Sequence, residues 1–118
     1  MAARLTQLDY DREMTLVLTG TELAGKADLW GLVSLSADSD RDEAEYAIAL
    51  DRRMAGQGLG ALLMRAIIRY AQQRGIRQMI GDVLNDNEPM LRLNQALGFT
   101  LEPHPDDPDL IRVRLALS

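Results

Sequence analysis

Three glycines in five residues, Gly56-Gln57-Gly58-Leu59-Gly60, run directly into an amphipathic pattern, and that junction constrains the chain more than any other feature. Leu59, Leu62, Leu63, Ala66, Ile67, Tyr70 and Ala71 recur at the three and four spacing of one helical face, while Arg65, Arg69, Gln72 and Gln73 fall on the other. Gly75, after Arg74, provides a left-handed stop, so the pattern predicts a helix over about residues 58–74. Residues 44–50 before the glycines read as a strand. A glycine-rich link from strand to helix aims backbone N–H groups at the positive end of the helix dipole. It also removes the Cβ atoms that would hold a diphosphate off. Glycine serves a plain tight connection too, but three alternating glycines exceed what a turn requires, which favours an anion site.

The rest of the chain supplies strands. Residues 14–19 and 29–36 have strand character, separated by a predicted loop at 21–27, and a polar stretch at 37–43 makes the turn of a hairpin with 44–50. A strand at 76–84 follows the helix. Asn87 caps a second helix with Pro89 in its first turn, and Gly98 closes it. Residues 99–102 and 109–117 form two last strands around a Pro- and Asp-rich turn. This order predicts an α+β (mixed α/β) fold, with a mostly antiparallel central sheet, two main helices and a single domain over residues 1–118.

Other phosphate loops do not fit. A P-loop needs Lys followed by Ser or Thr, and the chain has neither pair. The dinucleotide fingerprint would place Ala61 at its third glycine, and Asp82 lies inside the next strand rather than at its end. The acidic run from Asp38 to Glu43 starts like a calcium loop, but Glu43 occupies the position that needs glycine, so a solvated turn is the reading. The chain has no cysteine, which removes thiolate catalysis and sulfur-ligated metal, and no metal site is expected. A net charge of -5 argues against nucleic acid. No apolar run reaches the length of a membrane span, and a soluble cytoplasmic protein is expected. His104, alone among prolines and aspartates, reads as a residue of an exposed turn without a role, and Trp30 as packed in or near the sheet.

Residues 55–63, Ala-Gly-Gln-Gly-Leu-Gly-Ala-Leu-Leu, resemble the pyrophosphate loop of the GNAT acyltransferase superfamily, Gln/Arg-x-x-Gly-x-Gly/Ala. Gly58 and Gly60 match its small residues, with Ala55 in place of Gln or Arg; Arg53 offers a second register with Gly56 and Gly58. Asn87, Leu93, Gly98 and Phe99 are similar to the family's later motif, in which Asn94 stands at a position often held by Tyr. The resemblance extends over nearly the whole chain. It is closest to the GNAT domains of bacterial protein lysine acetyltransferases, through residues 4–14 and 44–48, and begins after the family's first strand and two helices.

The resemblance implies acetyl-CoA as cosubstrate and an N-acetyltransferase acting on a primary amine, with protein lysine as the acceptor class. It implies Glu45 as catalytic base, although Glu45 also suits the solvated acidic turn. Ile48, Ala49 and Leu50 would meet the pantetheine arm, and Gly56, Gln57, Gly58, Leu59 and Gly60 the pyrophosphate. Asn87 would bond the pantetheine or simply cap its helix. With Asn94 at the Tyr position, water or Tyr10 would protonate the departing thiolate. A non-catalytic acyl-CoA-binding module and a fragment of a larger acetyltransferase are the alternatives, and a homodimer or partner chain would complete the sheet.

Overall fold

The computed structural model describes residues 3–10, 12–20, 28–38, 40 and 42–117. Among the described residues, seven strands form one sheet: β1 (Ala3–Asp9), β2 (Glu13–Gly20), β3 (Leu29–Ala37), β4 (Glu43–Leu50), β5 (Gln78–Leu84), β6 (Thr100–Pro103) and β7 (Leu110–Ala116). Helix α1 (Leu59–Gln73) connects β4 to β5, and α2 (Glu88–Ala96) follows β5. In the sheet the strands lie in the order β1-β2-β3-β4-β5-β7-β6, antiparallel throughout except for β4 and β5. That parallel pair is the one bridged by α1, as a helical crossover requires. The loop expected at 21–27 lies outside the described residues.

Alternation builds the core on one sheet face. Met14, Leu16 and Leu18 of β2, Val33 and Leu35 of β3, and Ala44 and Tyr46 of β4 are buried beneath Leu63, Met64, Ile67 and Ala71 of α1. The helical face lies near the expected one with a correction: Leu62 is 43% exposed, and Met64 takes its place inside. Trp30 is buried, as expected, beneath Gly20, where a Cβ would meet the indole ring.

Strand β1 is absent from the sequence reading. Its seven residues are all exposed at an edge of the sheet, so no apolar alternation marks it. The predicted hairpin turn forms, with the Asp42 N–H donating to Asp38 Oδ1 at 3.0 Å. No helix among the described residues is long and apolar enough to cross a membrane.

Candidate active site

The site is organised by a fork in the sheet. β4 and β5 pair through only three positions, Glu43 with Gln78, Ala44 with Met79 and Glu45 with Ile80, and then separate. At the branch point the Tyr46 ring occupies the space above Gly81, where a Cβ would collide with it. Glycine is thus required at 81 by close approach. Tyr46 meets Phe99 edge-on at 5.7 Å between centroids, and its hydroxyl donates to Asn94 Oδ1 at 2.7 Å. Burial pushes the Tyr46 pKa up to about 12, opposed by the Asn94 bond and aided by the charge of Asp82.

The opening past the fork is a cleft of about 320 Å³ lined from both sheet faces. Tyr46, Ile48 and Val83 approach from the helix side, and Glu45, Ala47 and Asp82 from the other, while Asn87 and Met90 of α2 close the end. A groove of about 460 Å³ continues from it, between Ile48 and Leu50 on one wall and Pro89, Met90 and Leu93 on the other, to Gly56, Gly58 and Gly60. Ile48, Asn87 and Met90 line both.

At the far end the glycine loop opens the groove toward α1. Gly56 and Gly58 have φ of 79° and 75°, with nothing within 4 Å of where their Cβ atoms would be. Gly58 is the N-cap of α1 and, having no side chain, makes no capping bond to the first-turn amides. Gly60 lies between Leu50 and Leu93, where a Cβ would come within 3.3 Å and 3.4 Å of their methyl groups. Gln57 is exposed, Leu59 half-buried against the core, and Ala49 exposed on the outer sheet face; none of the three lines the groove. A short 3-10 turn, Arg52–Met54, leads into the loop, and Asp51 caps it. Hydrogen bonds from Arg53 hold the Asp51 carboxyl below its ordinary value.

Glu45 is exposed on the outer lip of the cleft and makes no hydrogen bond or ion pair with any described side chain. It lies in the strand, not in the acidic turn. Asp82, across the fork, is engaged by Arg112 Nε at 3.2 Å and faces His104 Nε2 at 3.6 Å. His104 is therefore not the exposed turn residue expected: its side chain is 11% exposed, with both ring nitrogens in contact. Asn87 caps α2 by accepting from Met90 N at 3.3 Å, which leaves its amide N–H groups available to the groove. Tyr10 is 70% exposed and lines neither groove nor cleft. Tyr46 and Asp82 escaped the sequence reading because each owes its place to a partner strand.

A seven-stranded sheet forked between two parallel strands, with a glycine-capped helix at the end of the fork's groove, defines an acyl-CoA acetyltransferase fold. The sequence profile of the acetyltransferase (GNAT) family matches residues 2–99, and the chain belongs to that family. An acetyltransferase of Pseudomonas aeruginosa is 33% identical over 114 residues, which cover 97% of this chain and 61% of that one. The GNAT domain of the S. lividans protein PAT shares the fold with a TM-score of 0.75 at 23% identity, over 90% of this chain and 61% of that one. A Salmonella typhimurium protein solved with its cofactor acetyl-CoA gives a TM-score of 0.72 at 26% identity, over 90% and 65%. The chain thus spans 61% of the length of the Pseudomonas relative.

Proposed function

We propose that this chain binds acetyl-CoA along the groove and carries its acetyl group to a primary amine by direct attack, with a protein lysine side chain as the acceptor. The observation that carries the reading is the continuity of the groove from the open, positive-φ glycines to the fork between β4 and β5. The residues fit the group. Backbone amides at Gly56 to Gly60 would take the diphosphate, and the walls formed by Ile48, Leu50, Met90 and Leu93 would take the largely apolar arm.

The bound thioester supplies an activated acyl carbon. Holding it at the fork against an amine arriving from the outer face provides proximity, a large share of such a rate. A lysine ammonium, with an ordinary pKa of about 10.4, must lose a proton before it attacks. Glu45, on the outer lip and hydrogen-bonded to no described side chain, is the carboxylate placed to take it. The Tyr46 hydroxyl is committed to Asn94, which leaves water to protonate the departing sulfur. The lysine assignment follows the similarity of residues 44–48 to the lysine acetyltransferase group.

The test is calorimetry with acetyl-CoA, followed by acetyl transfer to a lysine peptide. Micromolar binding with turnover is the expected result; the absence of binding at millimolar acetyl-CoA would sink the reading. A second reading, a non-catalytic acyl-CoA-binding module, draws on the commitment of the Tyr46 hydroxyl to Asn94 and predicts binding without transfer.

A further inference from the structure

We propose that the Tyr46 ring sets the acyl length at the fork: it leaves room for a two-carbon acyl group and closes the way to longer chains. The proposal rests on the acetyl-transfer reading and names a specificity-determining residue for it.

On that reading the thioester ends where β4 and β5 part, so the walls of the opening decide how far its carbon chain can continue. One way leads through the fork toward the interior, the other to the outer face. Tyr46 stands across the first. Its side chain leaves β4 on the helix side, lines the cleft and reaches across to β5, where its ring lies against Gly81. Beyond the ring are Phe99, met edge-on at 5.7 Å, and Asn94, which accepts from the hydroxyl at 2.7 Å. Phe99 is 4% exposed and Asn94 0%, and neither lines the cleft. The ring therefore separates the cleft from packed interior.

The ring is also tied at its tip. Turning it aside would leave Asn94 Oδ1 buried without a donor, which is costly. Asn94 is held in turn, because its Nδ2 donates to Met90 O at 2.9 Å within α2. An aromatic ring gripped at face, edge and hydroxyl does not yield to an incoming methylene as a flexible chain would. The outward way is open, but it is the way the amine must come. An acyl chain bent toward it passes Glu45 and Asp82, finds little apolar cover and obstructs the acceptor.

A methylene that finds an apolar site tightens binding by about fourfold, so affinity along an acyl series reports whether the fork admits the chain. The measurement is calorimetry on the full chain with CoA, acetyl-CoA, butyryl-CoA and hexanoyl-CoA. In wild-type protein hexanoyl-CoA should bind no more tightly than acetyl-CoA, and its transfer to a lysine peptide should be slower by about tenfold or more. Tyr46→Phe keeps the ring and should keep that order, although it loses the bond to Asn94. Tyr46→Leu/Asn94→Leu removes the ring without stranding the amide, and there hexanoyl-CoA should bind about tenfold or more tighter than acetyl-CoA. A general loosening of the fold would shift every ligand together; a length stop shifts hexanoyl-CoA against acetyl-CoA. Tenfold tighter binding of hexanoyl-CoA than of acetyl-CoA by wild type or by Tyr46→Phe overturns the proposal, and so does a folded double variant with the wild-type order. If the double variant does not fold, the wild-type and Tyr46→Phe series still decide. Failure of wild-type protein to bind CoA in any form defeats the acetyl-transfer reading instead.

Discussion

The Tyr46 hydroxyl donates to Asn94 Oδ1 across 2.7 Å, and Asn94 Nδ2 donates to Met90 O at 2.9 Å, which ties β4 to α2 at the branch of the sheet. Asn94 is fully buried and is the one buried polar side chain in the described core. Its two bonds fix the orientation of the amide. They explain how an amide is accommodated there.

Removing the hydroxyl strands its acceptor. Tyr46→Phe should destabilise the fold by about 1–3 kcal/mol, because Asn94 Oδ1 stays buried without a donor. The double variant Tyr46→Phe/Asn94→Leu should recover part of that loss, measured by urea unfolding. If the single variant unfolds like wild type, the bond carries nothing.

The same tyrosine sets an alkaline limit. Its folded pKa of about 12 lies above the ordinary 10.0, so the folded state holds the proton that the unfolded state releases. Stability from this group is complete below pH 10 and falls as pH rises from there through 12. Absorbance titration of tyrosinate should show one of the three tyrosines ionising late, and Tyr46→Phe should remove that late step.

Gly58 and Gly75 share a φ of 75° and have nothing within 4 Å of a Cβ, but they sit at opposite ends of α1. Alanine at either should cost about 1–2 kcal/mol of backbone strain. Only Gly58→Ala should also weaken acetyl-CoA, by about tenfold or more, because its methyl enters the space of the diphosphate and costs a charge-assisted bond. Equal acetyl-CoA affinities in the two variants would remove the loop from the binding site.

Asn87 can be divided into its two roles. Asn87→Ala should cost about 0.5–2 kcal/mol by loss of the cap to Met90 N. Asn87→Asp keeps a capping oxygen and should retain stability, but it removes the amide donor. A weaker acetyl-CoA affinity in Asn87→Asp, read by calorimetry, assigns that donor to the ligand; an unchanged affinity leaves Asn87 as a cap alone.

Glu45→Gln should lower the rate constant for transfer by about 10²–10⁴-fold with acetyl-CoA affinity unchanged. The remaining activity should climb with pH toward the lysine pKa of about 10.4, because only amine already free of its proton then reacts. A pH profile matching wild type would move the base elsewhere.

The glycine loop, the face of α1 and the caps of α2 were legible in the sequence because each depends on neighbours within a few residues: positive φ at Gly58, turns of helix above Leu63, Asn87 three positions before Met90. Short-range backbone geometry leaves a periodic or compositional mark on the chain itself. Strand β1 left none, since a strand exposed along its whole length need not alternate. The point where β4 and β5 part, the Tyr46 ring over Gly81, the bond to Asn94 and the Asp82, Arg112 and His104 array join residues up to 48 positions apart. Those meetings follow from strand order and register. Packing of the whole sheet fixes both, and no local propensity encodes them.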